Sequence, residues 1–411
     1  MNLLYSALLH LVILWLKVRA FWHNKTARWL KSRNENNWQN FSDNDNRRKY
    51  WFHCASLGEY EQAHPLILKL KYESPDSDIL LSFFSISGFE NLPCNSPADF
   101  VFYLPFDLKS PIIEMVDHLQ PAILILVKSE IWPNLIQILI KRNIPIYLIS
   151  AKFDPKSLIF RIPFLRNALN SLTAIFTQDE ETTEIARKNL TTEIITSGNT
   201  RIERVLDLKN SLPDDQKLIE FCQRGLLLVL GSVYPADMNI IAPWLKSGKS
   251  DEYQILLAPH EINPGNIQKI QEIIDSPSSL LSNEADAQSR ILILDSIGQL
   301  SRVYRYAHAA YIGGGFGKGI HNILEPAVHS IPVCFGPKYE AFFEAVSFIA
   351  NDTGFSINTS DDFFEFMKNC GDNDFLKGIK NKQETWFRRN ASSTDIIMDY
   401  LRTHKLLSGN D

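Results

Sequence analysis

The sequence predicts an α/β protein of two doubly wound halves, and three observations carry the prediction. Short apolar runs alternate with helical stretches along most of the chain; the alternation lapses once, at Asn210–Gln216 (NSLPDDQ); and it then restarts in the same style. Such alternation reads as parallel sheets wrapped by helices, with ligands at the carboxyl ends of the strands and a cleft between the halves. At 411 residues there is room for two to three domains, each with its own core. The expected limits are 46–209 for the first half and 217–376 for the second. Residues 377–411 form closing helices, and 1–33 are a separate N-terminal piece.

The first half opens with the strand-like run Tyr50–Cys54, which turns at Ser56, Leu57 and Gly58 into a helix whose Ala63, Leu66, Ile67 and Leu70 recur at helical spacing. Further strands are expected at Ile79–Phe84, Phe100–Leu104, Ile123–Val127, Ile144–Ile149, Ala174–Thr177 and Glu193–Thr196. In the second half they are expected at Leu226–Leu230, Gln254–Leu257, Arg290–Leu294, Ala309–Ile312, Pro332–Phe335 and Gly354–Ile357. The tail, with Trp386, Phe387, Ile396, Ile397 and Tyr400, reads as one or two helices.

Composition narrows the class. Hydrophobic residues make up 45% and charged residues 22%, ordinary values for a globular chain, and a net charge of −5 gives no sign of nucleic-acid binding. The five cysteines lack CxxC or CxxH spacing, which points to reduced thiols and away from a zinc site.

The N-terminus departs from this average. Leu3–Leu16 is apolar but for Ser6 and His10, and a cationic flank follows: Lys17, Arg19, Lys25, Arg28, Lys31 and Arg33. A cleaved signal peptide fits poorly, because no basic segment precedes the run. The leading expectation is a signal anchor with the folded body in the cytoplasm, beside an interfacial amphipathic helix and an ordinary core helix.

The stretch Tyr311–Pro326 (YIGGGFGKGIHNILEP) combines a buried-strand run, five glycines in seven positions and the helix-like ILEPAVHS. Gly314 and Gly315 would let the backbone approach a phosphate, with a helix N-terminus beyond them; a merely tight turn is the plainer alternative. Neither the P-loop nor the G-x-G-x-x-G spacing is met. A sugar nucleotide or another small phosphorylated ligand remains, with Asn322 and Glu325 as candidate readers of its hydroxyls.

Strand ends supply the other candidates. Glu59, in the first turn of a helix, is placed to be a general base or merely to complement the helix dipole, which would lower its pKa. Glu130, within SEIWPN, is a second acid, and Arg201, in SGNTR, a cation for a carboxylate or phosphate; a structural acid and a surface arginine are the plain alternatives. Gly231 with Ser232, Pro259 with His260, and Ile297-Gly298-Gln299 follow strands of the second half. There is no HExxH or G-x-S-x-G pattern.

Taken together and in order, HCASLGEYEQAHPLI, LPFD, EIWPNLI, SGNTR, GS, APHE, GGGFGKGIHNILEPA and FGPKYEAF resemble the bacterial 3-deoxy-D-manno-octulosonic acid (Kdo) transferases of lipopolysaccharide synthesis, over about Trp51 to Phe343. The resemblance implies a GT-B fold, with two Rossmann-like domains facing a cleft and an N-terminal membrane-anchoring helix at the cytoplasmic face of the inner membrane. It implies CMP-Kdo as donor substrate, a tetra-acylated lipid A precursor as acceptor, and no cofactor or metal. Glu59 would be the base, with Glu130 and Arg201, where many members have lysine, assisting at the transition state. Gly231, Ser232, Pro259, His260, Ile297, Gly298, Gln299, Gly314, Gly315, Asn322, Ile323, Leu324 and Glu325 would hold the donor. Many members read PRH where this chain has Pro259-His260, and Gln299 replaces a usual glutamate. A GT-B enzyme using another nucleotide sugar, or an inactive sugar-nucleotide-binding membrane protein, is the alternative.

Overall fold

The computed structural model describes residues 2–34, 37–42, 47–211, 216–282, 289–296 and 298–407. The chain divides into two compact units, one of Met1–Arg204 with Asn390–Asp411, the other of Val205–Arg389. Most of the linker expected at Asn210–Gln216, and Ile297 of the donor set, lie outside the described residues.

The first unit is built on a seven-stranded sheet: β1 (Lys49–Cys54), β2 (Asp78–Phe83), β3 (Phe100–Tyr103), β4 (Ile123–Val127), β5 (Ile146–Ala151), β6 (Ala174–Thr177) and β7 (Glu193–Thr196). Its order is β3-β2-β1-β4-β5-β6-β7, every pairing parallel. The sheet is covered on both faces, so its strands are apolar almost throughout. Tyr50, Phe52 and Cys54 of β1 join one core with Tyr60, Leu66 and Leu70 of the helix Leu57–Glu73. Trp51 points the other way, into a core with Leu135 and Leu139 of the helix Pro133–Lys141. That period of two places each residue at the end of β1 on a definite face.

The second unit repeats the plan with β8 (Leu226–Val233), β9 (Tyr253–Pro259), β10 (Ser278–Leu280), β11 (Ile291–Ile293), β12 (Ala309–Ile312), β13 (Val333–Phe335) and β14 (Gly354–Ser356). The order is β10-β11-β9-β8-β12-β13-β14, again parallel. All the expected runs reappear as strands; β10, short and two-thirds serine, was not expected. In each sheet the order reverses once, between β1 and β4 and between β8 and β12. Crevices outside the carboxyl ends of such strand pairs are where open α/β sheets take ligands.

Two expectations are corrected here. The helix Asn2–Ala20 is a single element, but among the described residues no helix is long and apolar enough to cross a membrane, so a spanning anchor is not supported. Its apolar run ends at Lys17, well short of the about 20 residues that a span requires. One face packs on the first unit, where Tyr5 donates to Asp107 Oδ2 at 2.9 Å and its ring meets Phe164. The opposite face, Leu8, Leu11, Val12, Leu14, Trp15 and Val18, is exposed. The helix expected over ILEPAVHS is only Leu324–Ala327. Turns follow at once, and Ser330, at φ +62°, directs the chain into β13.

The last helix, Ser393–Thr403, belongs to the first unit. Ile397, Met398 and Leu401 enter the core beside the helix Leu57–Glu73, Arg402 pairs with Glu73, and the Thr394 N–H donates to Glu203.

Candidate active site

In the first unit the two acids stand after β1 and β4, the strands that flank the reversal of order. Glu59 lies in the first turn of the helix Leu57–Glu73 and is 9% exposed. Its carboxylate accepts from the Ala55 N–H just beyond β1. Glu130 sits in the segment between β4 and the helix Pro133–Lys141, and its Oε2 accepts from Trp132 Nε1 at 3.1 Å. That segment is braced from behind by Asp107, of the LPFD stretch. The buried Asp107 carboxylate accepts from the N–H groups of Asn134 and Leu135 at 2.9 and 2.8 Å, filling the first turn of the helix.

Electrostatics set Glu59 apart. Burial, with the negative charge of Glu130 added, pushes its carboxyl up from 4.5 to about 7, against the Ala55 N–H, Lys128 and the Ser56 backbone, which pull it down. The dipole argument predicted a lowered value, and burial reverses it. A carboxyl poised near neutrality takes a proton and gives it back with little cost, as a general base requires.

Arg201 opens the helix Arg201–Ser211, where its own N–H donates to Asn199 Oδ1 at 3.1 Å. The turn before it holds Gly198 at φ +96°, and an added Cβ would meet Ser393 Oγ at 2.6 Å. The cation that acts on Glu59 is Lys128, at the end of β4 with φ +67°. Sequence reasoning missed it, although a lysine directly after an apolar strand and two residues before Glu130 was a usable signal.

In the second unit the reversal lies between β8 and β12, and the donor candidates lie in the last residues of β8 and β9 or after β9, β11 and β12. Gly231 lies opposite Ile312, and a Cβ on it would reach 2.1 Å from the Tyr304 hydroxyl. Ser232 takes φ +53°. Pro259 ends β9 opposite Val233, and the His260 N–H donates to Val233 O at 3.0 Å. The His260 ring stacks on His321 with centroids 4.4 Å apart and lies 4.7 Å from the ring of Tyr234, a residue that sequence reasoning passed over. Burial, and then the nearby His260, push His321 down to about 4, so it is neutral at physiological pH.

The glycine stretch is held by Asp237. This fully buried carboxylate accepts from the Tyr234 N–H at 2.8 Å, the Tyr311 hydroxyl at 2.8 Å and the Gly314 N–H at 3.1 Å. Gly315 passes so close to Gly336 that a Cβ would lie 2.5 Å from its Cα. Asn322 and Glu325 do come together, but as partners: Asn322 Nδ2 donates to Glu325 Oε1 at 3.0 Å, and Ser301 Oγ donates to Glu325 Oε2 at 2.7 Å. Asn322 Oδ1 accepts from the Leu324 N–H. Ile323 and Leu324 are buried, so only their backbone atoms can face a ligand. With four residues of helix behind them, the helix-dipole cradle expected here is not formed. Gly298, at φ +87°, and Gln299, whose buried Oε1 has no partner among the described residues, precede the helix Leu300–Val303.

Residues 26–204 match the family model described as 3-deoxy-D-manno-octulosonic-acid transferase (kdotransferase). The chain is 28% identical to the 3-deoxy-D-manno-octulosonic acid transferase of Chlamydophila psittaci over 71% of this chain and 70% of that one. The first unit thus matches the Kdo transferase family model, and the chain is similar to Kdo transferases. Another similar protein is the bifunctional glycosyltransferase/methyltransferase of Fusobacterium nucleatum. It is 25% identical over 90% of this chain, which spans 59% of that protein's length. In fold the chain is similar to the UDP-GlcNAc 2-epimerase of Neisseria meningitidis (TM-score 0.65, 13% identity, 86% of this chain and 100% of that one). It is also similar to a glycosyltransferase of Rickettsia africae (TM-score 0.59, 13% identity, 89% and 100%). The architecture is therefore two-domain and GT-B-like, with parallel sheets.

Proposed function

We propose that the protein is an inverting glycosyltransferase that moves Kdo from CMP-Kdo to a sugar hydroxyl of a tetra-acylated lipid A precursor. The observation that carries the reading is Glu59, a buried carboxyl held near neutrality beside Glu130 at the strand-order reversal of the first unit. In the reaction Glu59 takes the proton from the acceptor hydroxyl, whose oxygen attacks the anomeric carbon of Kdo. The bond from that carbon to the phosphate oxygen breaks, and CMP leaves. Glu130 and Arg201 support the charge that develops. The second unit holds the CMP part through the backbone of Gly314 and Gly315, the His260 and His321 rings, Gly298-Gln299 and the Asn322–Glu325 segment. The match of residues 26–204 to the Kdo transferase family model and the similarity to the Chlamydophila psittaci enzyme support this assignment.

The acceptor is a lipid, and the first helix supplies a means of meeting it. Its exposed apolar face, with Lys17 and Arg19 in the last turn and Phe21 and Trp22 beyond, suits a helix lying in the interface of an anionic membrane. We place the folded body on the cytoplasmic side of the inner membrane.

The test is incubation of the purified protein with CMP-Kdo and the defined acceptor, with mass spectrometry of the product. The expected result is an acceptor heavier by one or more Kdo units, and no product from E59Q that still binds CMP. Competition by UDP rather than CMP would point to another nucleotide sugar.

A further inference from the structure

His53, near the end of β1, is a fully buried histidine with no part in the chemistry above. It lies opposite Ser82 of β2, and Nδ1 is 2.8 Å from Ser82 Oγ. Ser82 Oγ also accepts from Trp51 Nε1 at 2.8 Å, while Phe52 O is 3.5 Å away. On the other side of the ring, Nε2 has no hydrogen-bond partner among the described residues and faces Glu130 Oε2 at 3.7 Å. The Trp132 ring, whose Nε1 donates to that same oxygen, meets the His53 ring edge to face at 5.6 Å.

Counting protons decides the tautomer. Ser82 has one hydroxyl proton and already accepts from Trp51, so its proton has a short path to His53 Nδ1 and only a long one to Phe52 O. If Nδ1 carried the proton instead, Nε2 would present a lone pair to the Glu130 carboxylate, two acceptors facing each other in a buried site. The arrangement that leaves neither conflict is the Nε2–H tautomer, with Nδ1 accepting from Ser82.

We propose that His53 is a positioning residue for Glu130, its Nε2–H and the Trp132 indole gripping one carboxylate oxygen, with the Trp51–Ser82 pair fixing the ring. A shift of under an ångström turns the 3.7 Å approach into a hydrogen bond. The grip keeps the Glu130 charge on Glu59. Among the described residues, the other ionisable groups that interact electrostatically with Glu59 are Cys54 of β1, fully buried with its thiol pushed well up by burial, and Lys128 after β4. Neither is held by His53. The inference rests on the proposed function only in taking Glu59 as the base.

The experiment uses the full chain and measures Glu59 without turnover. The difference in melting temperature between each protein and its E59Q counterpart, followed from pH 5 to 9, reports where Glu59 ionises. In an H53L background that midpoint should fall by about one unit, the effect of a like charge moving away. H53Q, which returns an N–H to the same place, should restore it. If CMP-Kdo is the substrate, H53L should also lower kcat by roughly ten- to a hundredfold with little change in KM. An unchanged midpoint in H53L overturns the proposal whatever the enzyme transfers; a shifted midpoint without transfer by the parent protein overturns only the assigned reaction. If H53L does not fold, nitrogen NMR of histidine-labelled protein decides. A proton on Nε2 of His53 supports the grip, and one on Nδ1 refutes it.

Discussion

Glu130 stands near enough to Glu59 for its charge to add to the effect of burial, and together they bring the Glu59 carboxyl up to about 7. The pair thus joins the ends of two strands, β1 and β4, that are about 70 residues apart in sequence. A base must be ionised to accept a proton, so transfer should rise with pH along a limb centred near about 7. E130Q removes the repelling charge and makes ionisation of Glu59 easier. The limb should move to lower pH, read from kcat/KM between pH 5 and 9. A limb that stays in place means that Glu59 is not the group being titrated.

The same raised carboxyl has a consequence for stability, with the opposite sign to an ordinary ion-paired acid. Unfolded, Glu59 loses its proton near 4.5; folded, it keeps it to about 7. Between these values the folded state binds more protons, so stability falls as pH rises through the window. The loss is on the order of 3 kcal/mol at about 1.4 kcal/mol per pKa unit. E59Q, which cannot ionise, should therefore be more stable than the parent at pH 8 and show no such gain at pH 4. Denaturant titrations at the two pH values provide the check.

The strands were legible because both sheets are covered on both faces, and runs such as Ile123–Val127 and Ala309–Ile312 have no solvent side to betray with polar residues. β10 was not, since Ser278 and Ser279 carry no apolar signal. The position of Glu59 could be read from the turn before it, but the direction of its pKa could not. The dipole is local and visible in sequence, whereas the burial and the Glu130 charge exist only once β1 lies beside β4. His53, Ser82 and Glu130 were invisible as a group for the same reason, since the pairing of His53 with Ser82 is a matter of register between β1 and β2. Asn322 and Glu325 were expected as two separate readers of ligand hydroxyls, whereas Asn322, ahead of the short helix, donates to Glu325.

Asp237 offers a test of the donor side at a residue that is not itself a proposed ligand contact. Its carboxylate accepts from Tyr234, Tyr311 and Gly314 at once, and D237N would turn an amide NH2 toward at least one of these donors. Leaving such a buried group unsatisfied costs about 1–3 kcal/mol. The melting temperature should drop by about 2–4 °C for each kcal/mol. Because Gly314 is released, the Kd for CMP should also weaken, measured by calorimetry below the melting range. D237N with unaltered CMP affinity would separate Asp237 from the ligand loop and leave it a purely structural acid.

The first helix divides its two jobs between its two faces, which lets one set of variants affect stability and another affect membrane binding. Leu11 and Trp15 are 65% and 56% exposed and belong to neither core cluster of the first unit, so replacing them with glutamine should change the melting temperature little. In an interface each would bury apolar surface worth about 1.5–3 kcal/mol if fully covered. The double variant should then lose at least about tenfold in partitioning onto vesicles, since about 1.4 kcal/mol is a factor of ten. Tyr5→Phe has the converse effect: it breaks the bond to Asp107 behind the Glu130 segment, lowering stability while sparing vesicle binding. Cosedimentation with vesicles containing anionic lipid, repeated at high salt, adds the contribution of Lys17 and Arg19, whose attraction is screened beyond about 10 Å at 0.1 M salt. Binding that survives both the double variant and high salt would show that the lipid acceptor is met through some other surface.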